Sequence, residues 1–184
     1  MKNFNQLIII TGPSGVGKGT IIKKIVKKDT KFWVSISATT RKPRTGEVEG
    51  ENYYFLSNSQ FEEMINKELL IEWAKFAGNY YGTLLKPVVE KINEGLKVIL
   101  EIEVEGAEQI RKKFPEALSI FLMPPSKKEL EKRIRNRGTD KEDSILKRLE
   151  RASFEMDSAK EFDHVITNLN VDETVKKIFE VISL

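Results

Sequence analysis

The stretch LIIITGPSGVGKGT, from Leu7 to Thr20, decides how the rest of the chain is read. Four consecutive large apolar residues, Leu7 to Ile10, form the kind of run that a strand buried on both faces requires. Gly12-Pro-Ser-Gly-Val-Gly-Lys18 then fits G-x-x-x-x-G-K between a strand and a helical run that opens at Gly19. Gly12, Gly15 and Gly17, with Pro13, Ser14 and Val16 between them, let the backbone close around phosphate oxygens. The loop amides and the helix N-terminus then point at the anion. Lys18 adds a point charge for the outer phosphates. The next residue is Gly19, where Ser or Thr is usual, and Thr20 follows as the nearest hydroxyl for a magnesium ion.

Outward from this motif, short apolar runs alternate with amphipathic stretches. Leu7–Ile10, Phe32–Ser35, Val98–Val104, Leu118–Met123 and Val165–Thr167 read as strands. Thr20–Lys28, Ser126–Arg137, Lys141–Lys160 and Glu173–Ile182 read as helices. Ser126, Thr139 and Asn170, each followed three residues later by Glu, resemble capping arrangements. The alternation predicts an α/β fold, a phosphate-loop parallel sheet covered by helices on both faces. Two stretches break the rhythm. Residues 37–86 are rich in Gly, Tyr, Thr and charge, and read as turns and short strands of an inserted substrate subdomain. Residues 126–157 are helical and carry five arginines (133, 135, 137, 148 and 151), which reads as a lid. The core is then about 1–36, 87–125 and 158–184 of one domain, with no repeat, low-complexity segment or flexible linker.

Composition narrows the chemistry. The 184 residues carry 31 Lys and Arg against 28 Asp and Glu, a formal net charge of +3, too balanced for a coat on nucleic acid or anionic membrane. A chain of this length buries roughly 70% of its unfolded surface and needs no disulfide or metal staple. There is no cysteine and one histidine, His164, which removes thiol nucleophiles, thiolate metal sites and two-histidine relays. No apolar run approaches a membrane span, and Leu7–Ile10 is too short for a signal segment, so the expected compartment is the cytoplasm. Neither nucleic acid nor a membrane is expected as a partner, and the sequence favours neither a monomer nor a homo-oligomer.

The second concentration of chemistry lies in Ser35 to Glu47. Arg41 and Arg44 flank Pro43, and two guanidinium forks on one constrained loop suit bidentate capture of a phosphate, although loop arginines are often merely solvated. Tyr53, Tyr54, Tyr80 and Tyr81 add hydroxyls. Glu72, in LLIEWAKF, is a carboxylate in apolar company and needs partners, either an arginine or the N–H donors of a base. Glu101 and Glu103 are two apart, hence on one face if the strand continues, and acids at such a strand end can hold magnesium through water or touch an acceptor. Arg133 and Arg137 share one helix face, and Arg148 and Arg151 share another.

SxSATTRxPRxGExxGxxYxF, then IEWAxFxGNYYGT, then LEIEVEGA, with the phosphate loop and the arginine-rich stretch, resemble the guanylate kinase family in order and spacing from Leu7 to Asn168. The resemblance implies ATP and magnesium as donor and cofactor, and GMP, with dGMP, as acceptor. It places Ser37, Arg41, Arg44, Tyr53 and Tyr81 around the acceptor phosphate, with Glu47 supporting the arginines. Glu72, with Ser37 and Thr83, would read the guanine edge; Gly82 and Glu103 belong to the same acceptor site. Residues 12–20, Arg137 and Asn168 would hold ATP, with Asn168 beside the adenine. Lys18, Arg41, Arg133, Arg137 and Arg148 would act on the phosphates, and Thr20 and Glu101 would serve the metal. Glu101 and Glu103 stand where the family often has Asp, and Glu105 where it commonly has Gln. Two other readings share the scaffold: a binding module that has lost phosphate-loop function, and a kinase of another small phosphate acceptor. The first conflicts with the retained Lys18 and glycines, and the second would not need the set Ser37, Glu72 and Thr83.

Overall fold

The structure, a computed structural model, describes residues 4–76, 78–136 and 142–183. In chain order its elements are β1 (Leu7–Thr11), α1 (Lys18–Lys28), β2 (Phe32–Val34), β3 (Ser37–Thr39), β4 (Tyr54–Phe55), α2 (Asn58–Asn66), β5 (Leu70–Phe76) and β6 (Asn79–Leu84). These are followed by α3 (Leu85–Asn93), β7 (Lys97–Glu101), α4 (Val104–Lys113), β8 (Leu118–Met123), α5 (Lys127–Arg135), α6 (Glu142–Asp157), a 3-10 turn (Ser158–Glu161), β9 (His164–Thr167) and α7 (Val171–Ile182).

Five strands form an all-parallel sheet in the order β2-β7-β1-β8-β9. β1 lies at its centre and every residue of it is buried, which is why its sequence is a continuous apolar run rather than an alternating one. Leu7 and Ile9 face one core, with Val98, Leu100 and Phe121, closed by Val88 and Ile92 of α3 and Ala107 and Ile110 of α4. Ile8 and Ile10 face the other, with Ile99 and Ile120, closed by Ile21, Ile22 and Ile25 of α1 and Val175 and Ile178 of α7. The period-two alternation of a strand therefore builds two cores from one tetrapeptide. Among the described residues no helix is long and apolar enough to cross a membrane.

A second sheet, in the order β4-β3-β6-β5, is made within residues 37–84. Its pairing sets Ser37 opposite Thr83 and Thr83 opposite Glu72, so three side chains from three strands stand in one row. β5 is an edge strand, and α4 covers it. The Gln109 amide donates to the Trp73 carbonyl at 2.6 Å and accepts from the Trp73 N–H at 3.2 Å, doing for that peptide what another strand would do.

Several sequence expectations change here. The strand expected over Val98–Val104 ends at Glu101, and Glu103 instead precedes the first turn of α4 with extended backbone. Glu101 and Glu103 are therefore a strand end and a helix N-cap, not alternate residues of one strand face. The small pair Gly106 and Ala107 lets α4 begin early and pack close, and an acid in its first turn suits the helix dipole. Residues 37–86 hold a helix, α2, besides strands and turns. Ser57 and Gln60 cap it reciprocally, a signal legible in S-x-x-Q. The helix expected over Lys141–Lys160 tightens to a 3-10 turn after Asp157. Ser126 accepts from the Glu129 N–H at 3.1 Å and Asn170 from the Glu173 N–H at 2.9 Å, while Thr139, Gly138 and Arg137 lie outside the described residues.

Candidate active site

The loop between β1 and α1 enters the helix through Gly17, whose φ of 105° is left-handed, and Gly15 is likewise left-handed at 90°. Only glycine takes these values without strain. No side chain caps α1, so its first amides stay available to an anion. The Lys18 ammonium donates to the Gly12 carbonyl across the loop. Three side chains, Ile134, Asn168 and Arg133, buttress this loop from behind. An added Cβ on Gly15 would come within 2.7 Å of Ile134 on α5. The buried Asn168 amide donates to the Val16 carbonyl at 2.7 Å and accepts from the Thr174 hydroxyl at 2.9 Å. Arg133 reaches the carbonyls of Val16 at 3.4 Å and Asn168 at 3.3 Å, with Glu129 at 3.2 Å on its Nε.

A cleft of about 1050 Å³ opens in front of the loop, above the range of ~300–1,000 Å³ usual for one small ligand. One bank is Pro13, Ser14, Gly15, Gly17, Lys18, Gly19 and Thr20. The facing bank is Ser37, Arg41, Arg44, Tyr53, Glu72, Tyr81 and Gly82, with Glu101 and Glu103 between the two. Arg148 on α6 closes the cleft above the loop, its guanidinium 2.7 and 3.2 Å from the Ser14 hydroxyl. The structure thus brings most of the sequence-derived site residues to one cavity and sets the other described ones back from it. Arg133 and Asn168 support the loop, Glu47 supports Arg41, and Thr83 is fully buried behind Glu72. Val16 is buried in the core and Gly12 lies at the strand exit; neither lines the cleft.

The facing bank is prepaired. Arg41 and Glu47 form a two-bond fork at 2.8 and 2.9 Å, and Glu47 also accepts from the Arg44 N–H at 2.7 Å. The Arg41 bond holds the Glu47 carboxyl below its ordinary range, and the same bond raises the Arg41 pKa. The Arg41 guanidinium also sits 5.3 Å from the Tyr53 ring centre. Burial pushes the Tyr53 hydroxyl up. Glu72 is only 3% exposed, and burial pushes its carboxyl up to about 7, against the hydrogen bond from the Thr83 hydroxyl at 2.6 Å. Among the described residues no arginine is bonded to it, so the structural alternative for Glu72, an arginine pair, does not hold. Its second oxygen lies against α4, where an added Cβ on Gly106 would come within 2.2 Å.

Burial also raises the Glu101 carboxyl, opposed by the nearby Lys18 charge. Glu101 and the exposed Thr20 hydroxyl both face the cleft beside Lys18. They are hard oxygen donors, as magnesium prefers. Among the described residues no cluster of three or more His, Cys, Asp or Glu could hold a metal by itself. Sequence reasoning left unassigned Phe76 and Arg151, which line the cleft, Gly106, which packs against Glu72, and Gln109, which bonds the backbone of the adjacent Trp73. The signals were present: Arg151 shares the face of Arg148, and EGA-x-Q carries a glycine and an amide on one side of a helix.

A central parallel strand that turns through a glycine loop and lysine into a helix, facing a second polar compartment, defines a phosphate-loop α/β protein of the nucleotide-kinase type. The family model described as guanylate kinase matches residues 4–184, and the chain belongs to that family. It is 65% identical over 182 residues to a guanylate kinase of Prochlorococcus marinus (strain MIT 9312), covering 99% of both chains. It is 50% identical over 177 residues to that of Synechocystis sp. (strain ATCC 27184 / PCC 6803 / Kazusa), covering 96% of this chain and 93% of the other. The crystal structure of guanylate kinase from Anaplasma phagocytophilum superposes with a TM-score of 0.79 at 30% identity, over 96% of this chain and 84% of that one. A shikimate kinase from Bacteroides thetaiotaomicron, 14% identical with a TM-score of 0.50, shares the fold over 96% of this chain and 98% of its own.

Proposed function

We propose that the chain transfers the γ-phosphoryl group of ATP to GMP, giving ADP and GDP, and accepts dGMP as well. One observation carries the reading: Ser37 and Glu72, with Thr83 buried behind Glu72 in the same row, face the phosphate loop across a single cleft. Guanine presents N1–H and N2–H as adjacent donors, which one carboxylate accepts together. Adenine has no such pair and would leave the buried carboxylate unmatched. Ser37 adds a hydroxyl at the same edge, while Thr83 holds Glu72 in place. Arg41, Arg44, Tyr53 and Tyr81 take the acceptor phosphate, with Glu47 orienting Arg41. Gly82 lines the same cleft, its missing side chain letting β5 and Phe61 pack close behind it, and Glu103 lies between the two substrates.

An oxygen of the GMP phosphate attacks the γ-phosphorus in line, and the bond to the β–γ bridging oxygen breaks as ADP leaves. No side chain becomes a nucleophile; positioning and charge stabilisation carry the step. The loop amides, Lys18 and Arg148 hold the donor phosphates, and Arg133 and Asn168 keep the loop in shape. Thr20 and Glu101 would hold magnesium, directly or through water, and the ion would neutralise charge on the donor phosphates. The family resemblance would assign Arg137 a role at the phosphates and adenine. In this reading residues 37–86 are the acceptor compartment, 126–157 a lid, and the rest the core. A cysteine-free chain acting on ATP is proposed to work in the cytoplasm.

The test is a coupled ADP-release assay with ATP, magnesium and each nucleoside monophosphate in turn. GMP and dGMP should support turnover far above AMP, CMP and UMP. Equal rates with AMP would refute base reading by Glu72, and no acceptor-dependent ADP release would make the chain a binding module.

A further inference from the structure

α6 reaches both banks of the cleft with two arginines three residues apart. Arg148 bonds to Ser14 of the phosphate loop. Arg151 goes the other way. Its Nη2 lies 3.0 and 3.2 Å from the two carboxylate oxygens of Glu105, in the first turn of α4, and its Nε lies 2.7 Å from Glu155. Its guanidinium also stands 4.2 Å from the ring centre of Phe76, the last residue of β5. Two carboxylates and an aromatic face thus hold one guanidinium, a geometry that lysine's point charge would not satisfy. Glu105 directly precedes Gly106, which packs against Glu72. The acceptor end of α6 is therefore seated on the element that backs the base site.

We propose that Arg151 and Glu105 are positioning residues for phosphoryl transfer: their ion pair, with Phe76, anchors α6 to the acceptor bank so that Arg148 is presented to the phosphates on the donor bank. Neither residue touches the reacting atoms. The inference rests on the transfer reaction proposed above.

Breaking the anchor removes a partly exposed ion pair and a cation–π contact, so kcat should fall by roughly fivefold to tenfold. The KM values for ATP and GMP should stay within about twofold, because the binding groups remain. The experiment compares the unmodified protein with Arg151→Ala, Glu105→Ala and the double variant, with melting temperature as a folding control. The double variant should be no slower than either single one, as for two groups acting through one contact. Since the chain has no cysteine, spin labels on Phe154→Cys of α6, 81% exposed, and Lys112→Cys of α4 can report the α6–α4 distance directly. A narrow distance distribution should broaden when Arg151 is replaced. Should Arg151→Ala fail to fold, Arg151→Lys and Glu105→Ala carry the same comparison. Unchanged kcat, effects that multiply in the double variant, or a fall in kcat with an unmoved distance distribution would each overturn the proposal. Absence of GMP-dependent turnover in the unmodified protein would instead refute the reaction itself, which separates the two failures.

Discussion

The two banks of the cleft are built on opposite plans. The donor bank is one contiguous segment, residues 12–20, whose working groups are backbone amides and a single lysine, held at the end of a strand buried on both faces. The acceptor bank is a mosaic of side chains, several from a second sheet, and two of its charged groups already have partners within the protein: Arg41 pairs with Glu47, and Glu72 accepts from the Thr83 hydroxyl. A backbone cradle accepts any polyphosphate, so the donor side is generic. A row of side chains set by strand register is particular, so selectivity belongs to the acceptor side. Variants should separate the two, with donor-side changes lowering every reaction alike and acceptor-side changes discriminating between substrates.

The largest effect is expected from Lys18→Ala. Its ammonium is the one formal charge within the phosphate loop, and its loss should lower kcat by on the order of 10³-fold with every acceptor. The melting temperature should hardly move, since among the described residues the Lys18 ammonium is bonded to a loop carbonyl alone. Turnover near normal would remove the loop from the mechanism. Next comes Glu72→Gln, which turns one acceptor oxygen toward guanine into a donor. With charge-assisted bonds worth roughly 1.5–3 kcal/mol each, kcat/KM for GMP should drop by on the order of 10²-fold. AMP, whose N1 is an acceptor, should lose far less. An equal loss for both would make Glu72 a structural acid.

The same contrast explains what could be read from sequence. The donor bank is local, so its strand, loop and helix are written in consecutive residues, and the parallel sheet follows from alternation of buried runs and amphipathic ones. The acceptor bank depends on pairing between strands far apart in sequence. Residue types alone suggested Arg41, Arg44 and Glu72 but left open whether Glu72 meets an arginine. The register that joins Ser37, Thr83 and Glu72 appears only in three dimensions. Glu101 and Glu103 show the limit of periodicity: a two-residue spacing implies one face only while the strand lasts, and it ends at Glu101. Asn168 and Arg133 show another, since a polar side chain near a loop can support the loop as readily as line the cleft.

A third variant, Arg41→Ala, probes the prepaired charges. Removing the fork should raise KM for GMP by roughly 30-fold and KM for ATP much less, measured by varying each substrate against a saturating partner. Equal changes in both constants would detach Arg41 from the acceptor phosphate. Glu47 would also lose the bond that holds its carboxyl low.

The smallest effect is one of stability. Burial raises the Glu72 carboxyl from 4.5 to about 7 in the folded chain, so between those values the folded state binds a proton that the unfolded state has released. The contribution of Glu72 is thus most favourable below about pH 4.5, and is lost as pH rises through about 7. Above that, the protein carries an ionised carboxylate among apolar groups with one hydroxyl bonded to it. Glu72→Gln removes that charge while keeping an oxygen for Thr83, so it should stabilise the free protein at pH 8. One pKa unit is about 1.4 kcal/mol, which bounds the gain near 3 kcal/mol, and relaxation with water entry reduces it to roughly 1–2 kcal/mol. The gap should narrow as pH falls through 7 and 6, and below about pH 4.5, where Glu72 is protonated in both folded and unfolded states, the two proteins should melt together. Thermal melts of both at pH 4, 5, 6, 7 and 8 check this. A gap that does not change with pH would mean that Glu72 does not titrate in this range, and that the acceptor bank does not store this cost for guanine to relieve.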